Sequence, residues 1–267
     1  MMRDFTLGQY FPGNSVLHRL DPRTKLLAAI VYIVALFLAV WFVSYAVVLV
    51  FLAVTVWVSG VPLRVILKSM KPLWVVILLT GLLNMFYTTG DALVSFWIFT
   101  ITKQGLQNAF FMVLRIAMLV VGTFLLTYTT SPMDLTDGME QMLRPLSKLH
   151  VPVHELSMMM SIALRFIPTL AKETDKIISA QKARGADFES GSLIRRAKAL
   201  IPILVPLFIG AFRRADDLAT AMECRCYYGG EGRTKLRVLH WSGRDLVAGL
   251  VMLLLLGTVV ALRCFGF

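Results

Sequence analysis

Residues 26–59 read LLAAIVYIVALFLAVWFVSYAVVLVFLAVTVWVS, a run without a single charged side chain. As one helix the run would be about 50 Å long, whereas the hydrocarbon core of a bilayer is only about 30 Å thick. We therefore expect two membrane-spanning helices, with a break near residues 41–45, where aromatic side chains suit a membrane interface. Asp21-Pro22, just before the run, predicts the start of the first helix, with Asp21 as N-cap and Pro22 at the first helical position.

Three further apolar runs follow, at residues 72–88, 106–128 and 246–262. Hydrophobic residues make up 57% of the 267 residues, and the mean hydropathy is +0.72. Both values exceed what a soluble domain of this length needs to fill one core. The sequence therefore predicts an all-α membrane protein with about five transmembrane helices.

Positive charges indicate which side of the membrane each loop occupies, because short loops rich in Lys and Arg stay in the cytoplasm. The N-terminal segment and the loop before Pro72 carry clusters of cations. The 89–105 loop carries only Lys103, and the C-terminal tail only Arg263. We expect a multi-pass protein with a cytoplasmic N-terminus. The placement of cations beside the apolar runs also explains the net charge of +11, so no nucleic acid is expected as a partner.

The segment 130–244 contains 17 of the 27 Lys and Arg residues and is long for a connection between spans. We divide the chain accordingly into an N-terminal membrane part with about four transmembrane helices (1–129), a cytoplasmic-side segment of coupling helices (130–244) and a C-terminal transmembrane helix (245–267). Ser131-Pro132, followed by acidic residues, predicts that a helix begins there.

Two long helices are predicted within this segment. The first begins after Pro152, ends at Gly185 and is kinked at Pro168, because proline removes an internal hydrogen bond. The second carries Pro202 and Pro206 in its apolar stretch. Each helix passes from an apolar portion to a charged end, so each is expected to pass from an apolar to an aqueous environment.

The ends of these two helices repeat each other. Residues 180–185 (AQKARG) and 221–226 (AMECRC) are 41 residues apart, and each contains one arginine, Arg184 or Arg225. Taken singly, either arginine could complement the helix dipole, and Gly185 could be an ordinary C′ glycine. Because the arrangement occurs twice, we favour two docking ends for two matching protein partners, with each arginine forming bidentate hydrogen bonds.

Signatures of catalysis are absent from the sequence. It contains no Gly-x-x-x-x-Gly-Lys-[Ser/Thr] run, so ATP binding through a P-loop is not expected, and neither His-Glu-x-x-His nor Gly-x-Ser-x-Gly occurs. We expect no catalytic residue, no cofactor and no metal site. His150 and His154 have a metal-ligand spacing, but Pro152 lies between them and favours a helix boundary.

Arg115 lies inside the run 106–128, where an unpaired cation is costly. It could line a polar path through the membrane. We favour a structural contact with a neighbouring helix or a partner subunit, because charges inside membranes are usually paired.

The chain resembles the transmembrane T subunit of energy-coupling factor (ECF) transporters, the EcfT/CbiQ family, which also includes the membrane component of cobalt and nickel uptake systems. The resemblance is carried by SVLHRLDPRTK at 15–25, by Ser131-Pro132, by ALRFIPTL at 163–170 and by the two arginine-containing ends. Together these segments span most of the chain.

This resemblance implies an L-shaped scaffold in the bacterial plasma membrane, with long proline-kinked coupling helices. Ala183-Arg184-Gly185 matches the family's first Ala-Arg-Gly motif, which docks in a groove of one ABC ATPase subunit. Cys224-Arg225-Cys226 matches the second motif, which docks in the other ATPase, although its flanking residues depart from Ala and Gly. The resemblance further implies an integral membrane S component as a partner, which binds a vitamin or a metal ion, so that this chain does not choose the substrate.

Two other functional classes are open on the sequence alone. A self-sufficient secondary transporter or channel needs polar residues near mid-membrane, for which Asn84 and Arg115 are the candidates. A membrane enzyme is disfavoured by the missing catalytic signatures.

Overall fold

The computed structural model describes residues 10–87, 92–96, 99–149, 151–188, 192–229 and 239–266. The helices within these ranges are α1 Pro22–Leu38, α2 Phe42–Ser59, α3 Leu63–Met70, α4 Trp74–Tyr87, α5 Lys103–Thr129, α6 Pro132–Leu143, α7 Val153–Ala183, α8 Leu193–Cys224 and α9 Gly243–Phe265. Short 3-10 turns lie at Lys71–Leu73 and Arg144–Leu149. The predicted class, a helical membrane protein, is confirmed.

Strands β1 (Ala92–Phe96) and β2 (Phe99–Thr102) form an antiparallel hairpin between α4 and α5. The sequence predicts a loop at residues 89–105, so the strands differ from that prediction. Valine, isoleucine, threonine and phenylalanine make up all of β2 and two of the five residues of β1, and these residues favour extended backbone. The hairpin is too short to change the helical class.

Four stretches in the described part of the chain are long and apolar enough to cross a membrane: Phe42–Ser59, Leu63–Phe86, Lys103–Thr129 and Gly243–Phe265. The chain is therefore a multi-pass membrane protein. The second stretch begins nine residues before the predicted start at 72, because α3 and α4 are joined through a single 3-10 turn at Lys71–Leu73. The sequence predicts α1 as a fifth span. α1 has 17 residues and is about 26 Å long, and it is not among these four stretches.

The chain divides into two compact units. The membrane unit comprises the described residues of 8–139 and of 239–267, so that α9 joins the N-terminal helices. The coupling unit comprises the described residues of 140–238.

The core of the membrane unit forms around α1, which packs against α5 and α9. Its buried side chains come from four helices and from the C-cap of α1, Ala39; they are Tyr32, Ala35, Leu36, Ala39, Tyr45, Val48, Leu52, Met118, Met252, Leu255 and Val259. Tyr32 is 5% exposed, and its hydroxyl donates to the Met118 carbonyl at 3.0 Å. Gly122 of α5 lies directly against the Tyr32 ring, so the close approach of α1 and α5 depends on the missing side chain.

A buried polar network holds the start of α1. Asp21 caps the helix as predicted, since its carboxylate accepts from the Arg23 amide at 2.9 Å. The Lys25 ammonium donates to the carbonyls of His18 and Thr129, at 3.2 and 2.8 Å. The Asp245 carboxylate accepts from the Asp21 amide at 2.8 Å and closes a capping box at the start of α9. The segment 15–25 therefore ties together the ends of α1, α5 and α9.

Arg115 makes a structural contact with α1, as predicted. Its guanidinium donates to the Ala39 carbonyl at 3.0 Å, at the C-terminal end of α1, where the helix dipole favours a cation. The same group lies 5.7 Å from the centre of the Phe37 ring and 5.5 Å from that of Tyr45. A carbonyl and two aromatic faces thus stabilise the charge where the chain turns from α1 into α2.

Candidate docking site

α7 and α8, the two long helices of the coupling unit, end close to where the sequence predicts. α7 begins at Val153, directly after Pro152, and continues through Pro168 to Ala183. α8 continues through Pro202 and Pro206 to Cys224. The two helices end 41 residues apart and begin 40 residues apart, so they have nearly the same length.

The end of α7 is a Schellman motif. Arg184 is the C-cap, and Gly185 follows it at φ +85°. The Gly185 amide donates to the Lys182 carbonyl at 3.0 Å, and the Ala186 amide donates to the Gln181 carbonyl at 3.0 Å. Ala183, Arg184 and Gly185 are exposed, so the arginine is presented at the tip of the helix.

The end of α8 has the same backbone geometry. The Cys226 amide donates to the Glu223 carbonyl at 2.8 Å, and the Tyr227 amide donates to the Met222 carbonyl at 3.0 Å. Cys226 takes the place of Gly185 at φ +55°, the one positive φ of a non-glycine residue in the described chain. Cys224, Arg225 and Cys226 are also exposed. Both triplets therefore occupy equivalent helix ends, and both arginines hold the C-cap position.

The cysteine at position 226 is strained relative to glycine, because a Cβ at positive φ approaches the following carbonyl oxygen. Replacing Cys226 by Gly is expected to stabilise the end of α8 by about 1 kcal/mol. Hydrogen exchange of the Tyr227 amide measures this, and it should slow about fivefold.

The matched control for this substitution is Gly185→Ala, which places a Cβ in the same conformation at the other helix end. It should accelerate exchange of the Ala186 amide by a similar factor. Unchanged exchange in both variants would contradict the strain at Cys226.

α7 and α8 pack against each other through an ion pair between Glu173 and Arg214. Gly210 of α8 faces the same carboxylate, and a Cβ there would lie 3.3 Å from Oε1 of Glu173. Helix-interior glycine is less favourable than alanine by about 1 kcal/mol, and the close approach of Glu173 accounts for its presence here.

The apolar portions of α7 and α8 carry many exposed side chains. The largest group lies on α8: Leu200, Ile201, Leu204, Val205, Phe208, Ile209 and Phe212. α7 adds Leu156, Met159, Met160 and Ile167. Such extended exposed apolar surface marks contact with a protein partner or with lipid.

The histidine pair proposed as a metal candidate is only partly described, because His150 lies outside the described residues. His154 contacts Glu140, with Nδ1 at 3.3 Å from Oε1, and the Ser157 hydroxyl donates to the other carboxylate oxygen at 2.7 Å. No group of three metal-ligating side chains occurs among the described residues. The start of α7 at Val153 fits the helix-boundary interpretation.

Comparison with known proteins places the chain in one family. A family model described as "Cobalt transport protein" (CbiQ) matches residues 13–236. The energy-coupling factor transporter transmembrane protein EcfT of Clostridium kluyveri is 54% identical over 257 residues, covering 96% of this chain and 95% of its own. The protein of the same name from Acidaminococcus fermentans is 51% identical, with 98% of both chains covered. That of Thermosediminibacter oceani is 52% identical, with 97% and 98% covered. The chain therefore belongs to the EcfT/CbiQ family of energy-coupling factor transporter transmembrane proteins.

Proposed function

We propose that this chain is the scaffold of an ATP-driven importer in the bacterial plasma membrane, with its N-terminus in the cytoplasm. It couples ATP hydrolysis by two separate ABC ATPase subunits to movement of an integral membrane S component that delivers a vitamin or a metal ion. The observation that supports this most directly is the pair of equal helix ends, each with an exposed arginine at the C-cap.

Ala183, Arg184 and Gly185 dock on one ATPase subunit, and Cys224, Arg225 and Cys226 dock on the other. A helix end is costly to bury when its last carbonyls lack partners. Here the Schellman bonds occupy carbonyls of the last turn before any partner arrives. Each end can therefore enter a groove while the arginine donates to carboxylates or carbonyls on the groove wall.

The S component contacts the exposed apolar surface of α7 and α8. Methionine and large aliphatic side chains dominate that surface, and such side chains adapt to the apolar face of a membrane partner or to lipid tails. Domain closure in the ATPase pair moves the two docked ends, and the helices carry that movement to the S component. The chain itself is not catalytic, and ATP hydrolysis takes place in the partners.

Purification of the tagged full chain from its own membranes in a mild detergent tests this function. We expect two ABC ATPase subunits and a small S component to co-purify, and the complex to hydrolyse ATP. The chain alone should neither hydrolyse ATP nor transport Co²⁺ or a radiolabelled vitamin into liposomes. Uptake by the chain alone would overturn the proposal in favour of a self-sufficient transporter.

A further inference from the structure

The ion pair between Glu173 and Arg214 joins equivalent positions of the two coupling helices. The two residues are 41 apart, which is the spacing of Arg184 from Arg225. A shift by 41 residues therefore carries Glu173 onto the position of Arg214. The two helices thus meet at equivalent positions, and the paired residues there have opposite charge.

Two arms of equal length extend from this contact to the docking ends. We define them as residues 173–184 of α7 and 214–225 of α8. Neither contains a proline or a glycine, so each is a regular helix about 16 Å long from the pair to its arginine. Because the length of each arm is fixed, the angle between the helices at the pair determines the separation of Arg184 and Arg225.

The connection between the helices restricts that angle. From Ala183 to Leu193 an extended chain reaches at most about 36 Å. If straight helices ran parallel, these two residues would be about 46 Å apart. The connection is therefore too short for parallel arms, so the two tips diverge.

We infer that the Glu173–Arg214 pair is the positioning contact that sets the separation of the two docking ends. This inference rests on the proposed function, because it concerns the surface that the two ATPases bind. An ion pair on an open surface contributes little to positioning. This pair is partly enclosed, with Glu173 29% and Arg214 32% exposed, and Gly210 allows the carboxylate to approach α8 closely. The guanidinium donates a charge-assisted hydrogen bond to the carboxylate, Nη2 to Oε2 at 2.5 Å, and such a bond restricts orientation as well as distance.

Spin labels on the arms measure the separation directly, in the full chain without its partners. Ser179 and Thr220 are exposed, equivalent positions outside both triplets, and each is changed to Cys for labelling. The three native cysteines are exposed and are first replaced; they are Cys224, Cys226 and Cys264. We expect one narrow distance distribution with the pair intact. Glu173→Gln and Arg214→Gln should each broaden it at least about twofold, because a neutral side chain cannot form the charge-assisted hydrogen bond.

Two further variants make the result decisive. If the two side chains act as one contact, the double Glu173→Gln/Arg214→Gln variant should broaden the distribution no further than either single change. Asp175→Asn, an exposed carboxylate on the same arm, should leave it unchanged. The inference would be overturned if both single variants had normal helicity and a distance distribution as narrow as that of the wild type. It would also be overturned if the broadening in the double variant were the sum of the two single effects. These distances are measured without the ATPase subunits. A failure of the docking proposal would therefore leave them unchanged and can be distinguished from a failure of this inference.

Discussion

Replacing Arg184 and Arg225 together by Ala is expected to lower ATP-driven uptake at least about tenfold and to separate the chain from its ATPase subunits. Truncating one partner of a desolvated, hydrogen-bonded charge pair costs about 2–5 kcal/mol, and about 1.4 kcal/mol corresponds to tenfold in affinity. Both arginines are exposed C-caps on equivalent helix ends, so neither removal disturbs the folded core. The amount of ATPase retained per mole of purified chain, together with uptake in liposomes, measures the effect.

The matched control removes two positive charges elsewhere on the same helices. Lys172 and Arg213 are also 41 residues apart and are both exposed. Changing both to Ala alters the net charge as much as the test variant does but leaves the two docking ends intact. The complex of this control variant should therefore assemble and transport normally. Each single arginine variant should lose binding to one ATPase more than to the other. Normal assembly and uptake in the double Arg184/Arg225 variant would contradict docking through these residues.

Changing both arginines to Lys separates charge from geometry. Lysine keeps the positive charge but cannot form the planar, bidentate hydrogen bonds of a guanidinium. We expect assembly between that of the wild type and that of the double Ala variant. Full activity in the Lys variant would indicate that charge alone is sufficient at these helix ends.

Local signals account for what the sequence predicted well. Asp21-Pro22 predicts the start of α1, because both residues act within the first helical turn. The break after α1 lies at residues 39–41, next to the predicted aromatic stretch. Gly185 similarly indicates the end of α7, since glycine readily adopts positive φ.

Neither the positive φ of Cys226 nor the ion pair between Glu173 and Arg214 is predicted from the sequence. Nothing in the sequence near Cys226 indicates a positive φ, although its alignment with Gly185 could have suggested one. The charges of Glu173 and Arg214 are ordinary for an exposed helix until the two helices are brought together. The 41-residue spacing is the sequence signal for both, because it aligns Cys226 with Gly185 and Arg214 with Glu173.

Gly122→Ala is expected to destabilise the membrane unit by about 3 kcal/mol, a large effect for one added methyl group. A Cβ at Gly122 would lie 2.4 Å from Cε1 of Tyr32. The ring has no room to retreat, because Tyr32 is buried and its hydroxyl is bonded to the Met118 carbonyl. Overpacking of this kind costs about 1–3 kcal/mol, and losing the buried hydrogen bond adds about 1 kcal/mol. Thermal unfolding in detergent measures the change.

Gly257→Ala is the control, since Gly257 also lies inside a membrane helix but has no neighbour within 4 Å of the added Cβ. It should leave the melting temperature unchanged or raise it slightly, because alanine fits the open space and favours helix by up to about 1 kcal/mol. Tyr32→Leu removes the ring that causes the clash. In that background Gly122→Ala should cost about 2 kcal/mol less than in the wild type, since the two sites are in direct contact. Equal destabilisation in both backgrounds would show that Gly122 is required for some reason other than the approach of α1 to α5.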